Sequence, residues 1–143
     1  MTTVQQIFDM AIHLMDEQSE TNGKTQTTDT AEYKYRTISI LNALLPTIYP
    51  YTDSADRSKP GRPQIPMLKI PQEYAEPDFT QEVPVDDSIA TGVLPYGLAA
   101  HLLASENDAL SAWFLQRFNQ AFYEIRSFMP ASFEPISAPY GLF

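Results

Sequence analysis

Seven prolines fall within the 35 residues from Pro50 to Pro84, at positions 50, 60, 63, 66, 71, 77 and 84. Proline lacks a backbone N–H and crowds the residue before it, so a regular helix through this stretch is excluded and a central strand disfavoured. The chain is thereby divided into two parts that can be helical, one on each side. Within the stretch, Ile65, Met67, Leu68 and Ile70 are interleaved with prolines, while Phe79, Val83 and Val85 alternate with polar neighbours. That pattern leaves room for short extended or edge-strand segments. A structureless loop of this length is unusual in a compact domain, and its apolar residues imply that it packs on something.

On the N-terminal side, Val4, Ile7, Phe8, Ala11, Leu14 and Met15 follow the i, i+3, i+4 rhythm of one helical face. They predict a first helix from Thr3 to about Ser19, with Asn22-Gly23 as its stop. The Thr-rich residues 21–30 read as a loop, from which Asp29 or Thr30 caps a second helix. Its stripe is Ile38, Leu41, Leu45 and Ile48, widened by Ile40 and Leu44, and it ends between Pro46 and Pro50. Beyond the insertion, Asp86 or Asp87 caps a third helix running to about Ser105, apolar over more than half its circumference and hence central and buried. Pro95 predicts a bend in it, a true break at Gly92 being the alternative. Asn107 or Ser105 caps a fourth helix over 108–128, with Leu110, Phe114, Phe118, Ala121, Phe122 and Ile125 on one face and Trp113 at its edge. The short connection implies an antiparallel hairpin of helices three and four.

The expected fold is therefore mostly α. It is a single-domain bundle of about four helices over residues 1–128, with an irregular insertion at 50–84 and an extended apolar C-terminal arm at 129–143. A chain of 143 residues can bury enough surface for one self-supporting core. The arm contains Pro130, Pro135 and Pro139, one charge at Glu134, and Phe133, Ile136, Tyr140, Leu142 and Phe143, preceded by Phe128. Its prolines forbid an amphipathic helix, and extended apolar arms reach along a groove or sheet edge of a neighbouring chain.

Nine basic against eighteen acidic residues leave a net charge of −9, which argues against a dedicated nucleic-acid binder. The charge is segregated. Arg57, Lys59, Arg62 and Lys69 lie within thirteen positions free of acids, so this loop is +4 and the remainder −13. The loop is a candidate contact for an acidic partner surface or for phosphates. With no cysteine, disulfides and thiolate chemistry are excluded. The opening residues lack the pattern of a secretory signal and no stretch approaches about 20 apolar residues, so an intracellular protein without membrane contact is expected.

Catalytic patterns are weak. Asp9, His13 and Glu17 are spaced i, i+4, i+8 and could present metal ligands, but a solvated helix face explains them as well. His101, Ser105 and Asp108 lie close in sequence, yet no nucleophile motif surrounds the serine. All five glycines are isolated, which excludes the glycine-rich phosphate loops. Asp86-Asp87 sits where a helix cap belongs. No enzymatic activity, cofactor or metal is expected.

The segment Gln81-Glu82-Val83-Pro84-Val85-Asp86-Asp87, then Val93-Leu94-Pro95-Tyr96-Gly97-Leu98-Ala99-Ala100-His101-Leu102-Leu103 and Ser105-Glu106-Asn107-Asp108-Ala109-Leu110, resembles the C-terminal half of head-to-tail connector (adaptor) proteins of long-tailed bacteriophages and prophages. In that family an L-P-Y-G-L-A-A helix precedes an acidic turn and a helix of the type found here from Ala112 to Phe118. The similarity spans about residues 79–126, and the first two helices agree in kind and order only. Residues 50–71 and those after Phe128 do not match the pattern. The resemblance implies a structural helical subunit of the virion, about a dozen copies forming a ring beneath the portal. Its implied partners are the portal protein, a tail-side head-completion protein and further copies of itself, with DNA passing the lumen without specific binding. The alternative is a non-enzymatic, prophage-encoded protein-binding or regulatory helical module.

Overall fold

A computed structural model describes residues 1–53, 55, 65–72 and 75–127. Helix α1 (Val4–Met15) starts from a capping box in which Thr3 accepts from the Gln6 amide while Gln6 accepts from the Thr3 amide. The next free donors are satisfied from far along the chain. Val4 N donates to the Gln81 carbonyl and Gln5 N to that of Phe79, each at 2.9 Å. The Pro-rich insertion thus completes the N-terminus of the first helix, where a helix has no partners of its own. Val4, Ile7, Phe8, Ala11, Ile12 and Met15 are buried, whereas Leu14, expected on that face, is 39% exposed. The helix also ends earlier than expected, because Asp16 adopts a left-handed conformation (φ 58°) and its amide turns back onto His13 and Ile12. Gly23, at φ 71°, belongs instead to a separate tight turn with Ser19 and Lys24.

Helix α2 (Ala31–Ile48) runs through Pro46 and passes into a single 3-10 turn, Tyr49–Tyr51. Thr30 occupies its N-cap position without capping it. The Thr30 hydroxyl is fully buried, donates to the Thr25 carbonyl and accepts from the Thr27 amide, organising the preceding loop. Ile38, Leu41, Leu44, Leu45 and Ile48 are buried as their spacing predicts, and Tyr33, Thr37 and Asn42 join them.

The apolar run after the insertion is two helices, not one bent one. α3 (Asp87–Gly92) and α4 (Leu94–Leu102) are separated at Val93, whose φ of −123° leaves the helical range. Pro95 stands in the first turn of α4, where a missing N–H breaks no hydrogen bond, so it starts a helix and does not kink one. α4 is the hub of the molecule and packs against α1, α2, α3 and α5. Only Tyr96 and His101 on it escape burial. α5 (Asp108–Ser127) begins at Asn107, whose side chain accepts from the Leu110 amide in N-cap geometry. Its hydroxyl Ser111 donates to the Ala100 carbonyl, and Phe118 lies over Gly97, so α4 and α5 run antiparallel as expected.

Among the described residues there is no strand, and the single isolated bridge joins Thr3 to Glu82. The described parts of the insertion are instead held by side chains. Asn42 pairs with the Leu68 backbone, donating to its carbonyl at 3.1 Å and accepting from its amide at 2.9 Å. Gln81 does the same for Lys69, at 3.1 and 2.7 Å. Leu68, Phe79, Val83 and Val85 enter the core, and the Phe79 ring meets Phe8 at 5.1 Å.

Candidate partner-binding site

The side chains singled out for chemistry are not gathered into a site. Glu17 lies beyond the left-handed end of α1, so the spacing that would align it with Asp9 and His13 is broken. Asp9 accepts from Gln5 and Thr25, both at 2.6 Å. Among the described residues no group of three His, Asp or Glu side chains could hold a metal ion. Asp86 and Asp87 do not cap with their side chains. Asp86 accepts from the Asp53 amide and Asp87 from the Thr2 hydroxyl, both at 2.8 Å, so the pair latches the start of the insertion and the N-terminal residues to α3.

Acidic residues do converge where the α1–α2 loop meets the α4–α5 turn. The buried Tyr33 donates its hydroxyl to Glu106, and burial together with that carboxylate pushes the phenol upward. Burial, then the charges of Glu106, Asp16 and Asp29, raise Glu17 above the ordinary glutamate value.

Of the residues assigned to partners from sequence, Arg57, Lys59, Arg62, Phe128, Phe133, Ile136, Tyr140, Leu142 and Phe143 lie outside the described residues. Lys69 is described and exposed. It belongs to the segment 65–72 that Asn42 and Gln81 pin against the bundle, with Leu68 buried and Met67 and Ile70 displayed outward at 58% and 63% exposure. This part of the insertion is therefore a fixed presentation on its own bundle. Glu76 ties the next part to α2, accepting from Tyr35 at 3.2 Å and pairing with Lys34. Both bonds hold its carboxyl below the usual range.

The second surface is α5. At 1.5 Å per residue its 20 residues span about 30 Å, against about 14 Å for the nine of α4. With Phe118 opposite Gly97, the last two turns of α5 overrun the start of α4. Phe114 and Phe118 are buried, but Ala121, Phe122 and Ile125 on the same stripe are only partly covered. Tyr51 meets Phe122 edge-on at 5.4 Å, and Arg126 lies over the same ring at 5.7 Å. Near the other end Trp113 is half-exposed beside Leu110, at the stripe's edge where its spacing places it. Arg117 covers the face of Tyr96 at 5.4 Å.

Periodicity missed the pinned segment, since nothing local marks Met67 and Ile70 as outward. A signal existed in Asn42, a polar residue at a buried position of an apolar helix, which has to find a hydrogen-bond partner. Comparison of the chain with protein-family models, with curated proteins and with solved structures gives no match.

Proposed function

We propose that this chain is a structural subunit of a bacteriophage or prophage head-to-tail connector, working as a ring beneath the portal and joining the DNA-filled head to the tail. One observation supports this reading above others. The central part of the segment that carries the resemblance, residues 93–103, is the buried hub of the bundle, and the helix packed on it overruns it with a partly covered apolar stripe. That stripe continues in sequence into Phe128 and Met129. A bundle that buries its centre and leaves apolar surface at one end has its core independent of its contacts, as an assembling subunit requires.

In this role residues 128–143 dock on the portal or an adjacent subunit. The insertion, with Arg57, Lys59, Arg62 and Lys69, meets a ring neighbour or the tail-side partner, Met67 and Ile70 adding apolar contact. The net negative charge lets a polyanion pass without adhering. The work is mechanical and needs no catalysis or cofactor, and its place is the virion. Mixing the protein with its cognate portal and imaging the product should show a ring of this subunit seated on the portal. Deleting residues 129–143 should abolish that seating. If the deletion alters neither oligomerisation nor portal binding, the assignment of this segment is wrong.

A further inference from the structure

We propose that the hollow beside Trp113 receives the apolar segment 128–143 of a second copy of this chain. The hollow is shallow, about 470 Å³, and among the described residues is lined by Asn107, Ala109, Leu110 and Trp113, none of them ionisable. Trp113 stands half-exposed on its wall, braced edge-on by the Phe114 ring at 5.0 Å. Segment 128–143 carries Phe128, Phe133, Ile136, Tyr140, Leu142 and Phe143 against one charge, Glu134. A chain of net charge −9 carries a net repulsion between copies of itself. A nearly uncharged segment entering an uncharged hollow is the contact that this repulsion opposes least.

The positions of the two parts favour a second copy over the same one, and the wild-type emission described below decides between them. Trp113 and Ser127 are separated by fourteen residues of continuous helix, about 21 Å along the axis. The hollow is thus near one end of a rigid rod and the segment leaves from the other. To fill its own hollow the segment would have to reverse and retrace that length, whereas end-to-end placement of copies needs no reversal. Such a contact joins unlike surfaces, and repetition of it closes into a ring or propagates as a filament. The inference rests on reading the chain as a self-assembling subunit and specifies which surfaces meet.

Trp113 is the sole tryptophan and reports its own burial. Two full-length variants are needed: an acceptor, Phe133→Ser with Tyr140→Ser and Phe143→Ser, which keeps Trp113, and a donor, Trp113→Ser, which keeps the segment. Circular dichroism and sedimentation of each alone check folding and the unmixed state. On titration with donor, acceptor fluorescence should move to shorter wavelength and saturate near one donor per acceptor, while sedimentation shows association only in the mixture. Emission unchanged by donor would overturn the proposal. So would wild-type emission that is short-wavelength and independent of concentration while the mixture stays silent, since the segment then fills its own hollow. No portal enters this measurement, so a silent mixture combined with intact seating on the portal would refute the Trp113 contact and leave the connector reading standing.

Discussion

Gly97 is where the hub is most sensitive to a single atom. A Cβ built there meets Leu44 Cδ1 and two ring carbons of Phe118, all at 2.9 Å. Leu44 can swing aside, but the Phe118 ring is buried and stacked on Phe122. Gly97→Ala gains about 1 kcal/mol of helix propensity and incurs an overpacking cost of about 1–3 kcal/mol. A net loss of about 1 kcal/mol in denaturant unfolding is expected, whereas Gly92→Ala, with nothing within 4 Å, should stabilise by about 0.5 kcal/mol. Glu17 gives a pH-dependent test. Its raised pKa means that the folded state holds the proton more tightly than the unfolded chain does, so stability rises as pH falls through the raised value and levels off below the ordinary 4.5. Glu17→Gln should therefore stabilise the protein near pH 7 and have little effect near pH 4, as read from urea midpoints at both. A midpoint lowered at pH 7 would show that the carboxylate makes a favourable contact outweighing its burial and its acidic neighbours.

At the scale of elements, the insertion behaves as a part of the bundle that lacks secondary structure. Proline at 66 and 71 prevents ordinary strand pairing along 65–71, and two amides replace it by bonding the Leu68 and Lys69 backbones as a neighbouring strand would. The two pins differ in depth. Asn42 and Leu68 are buried, so Asn42→Ala leaves a buried N–H and C=O without partners and should cost about 2–4 kcal/mol. The bonds of Gln81 to Lys69 are exposed, and Gln81→Ala should cost about 1 kcal/mol or less. Hydrogen exchange at the Leu68 amide checks this directly, with protection in the wild type and its loss in the Asn42 variant. The prolines could be read as barring regular structure, but not as choosing Asn42 and Gln81. Those partners are 26 and 12 residues away, beyond any local pattern.

For the whole molecule, the buried core extends from Val4 to Phe118, and among the described residues only partly buried positions continue it to Ile125. Deletion of 129–143 should therefore leave the unfolding midpoint nearly unchanged while abolishing portal seating. A large drop in stability would place that segment within the fold and not at an interface. The acidic character has the same two-sided meaning. Near Glu17 it adds to burial in raising one carboxyl, and it is absent from the described residues lining the Trp113 hollow.

Helical class, the order of the helices, the buried centre at 94–103 and the antiparallel hairpin were all legible in the chain, because each rests on apolar spacing or on a short connection. The ends were not. α1 stopped at Asp16 and the third helix broke at Val93, since a backbone turn depends on what its neighbours can pack against. The assembly of the insertion onto the bundle was decided by tertiary structure alone. Its hydrogen bonds join residues distant in sequence, and burial of Leu68 and Phe79 requires surfaces that exist only once the helices have met.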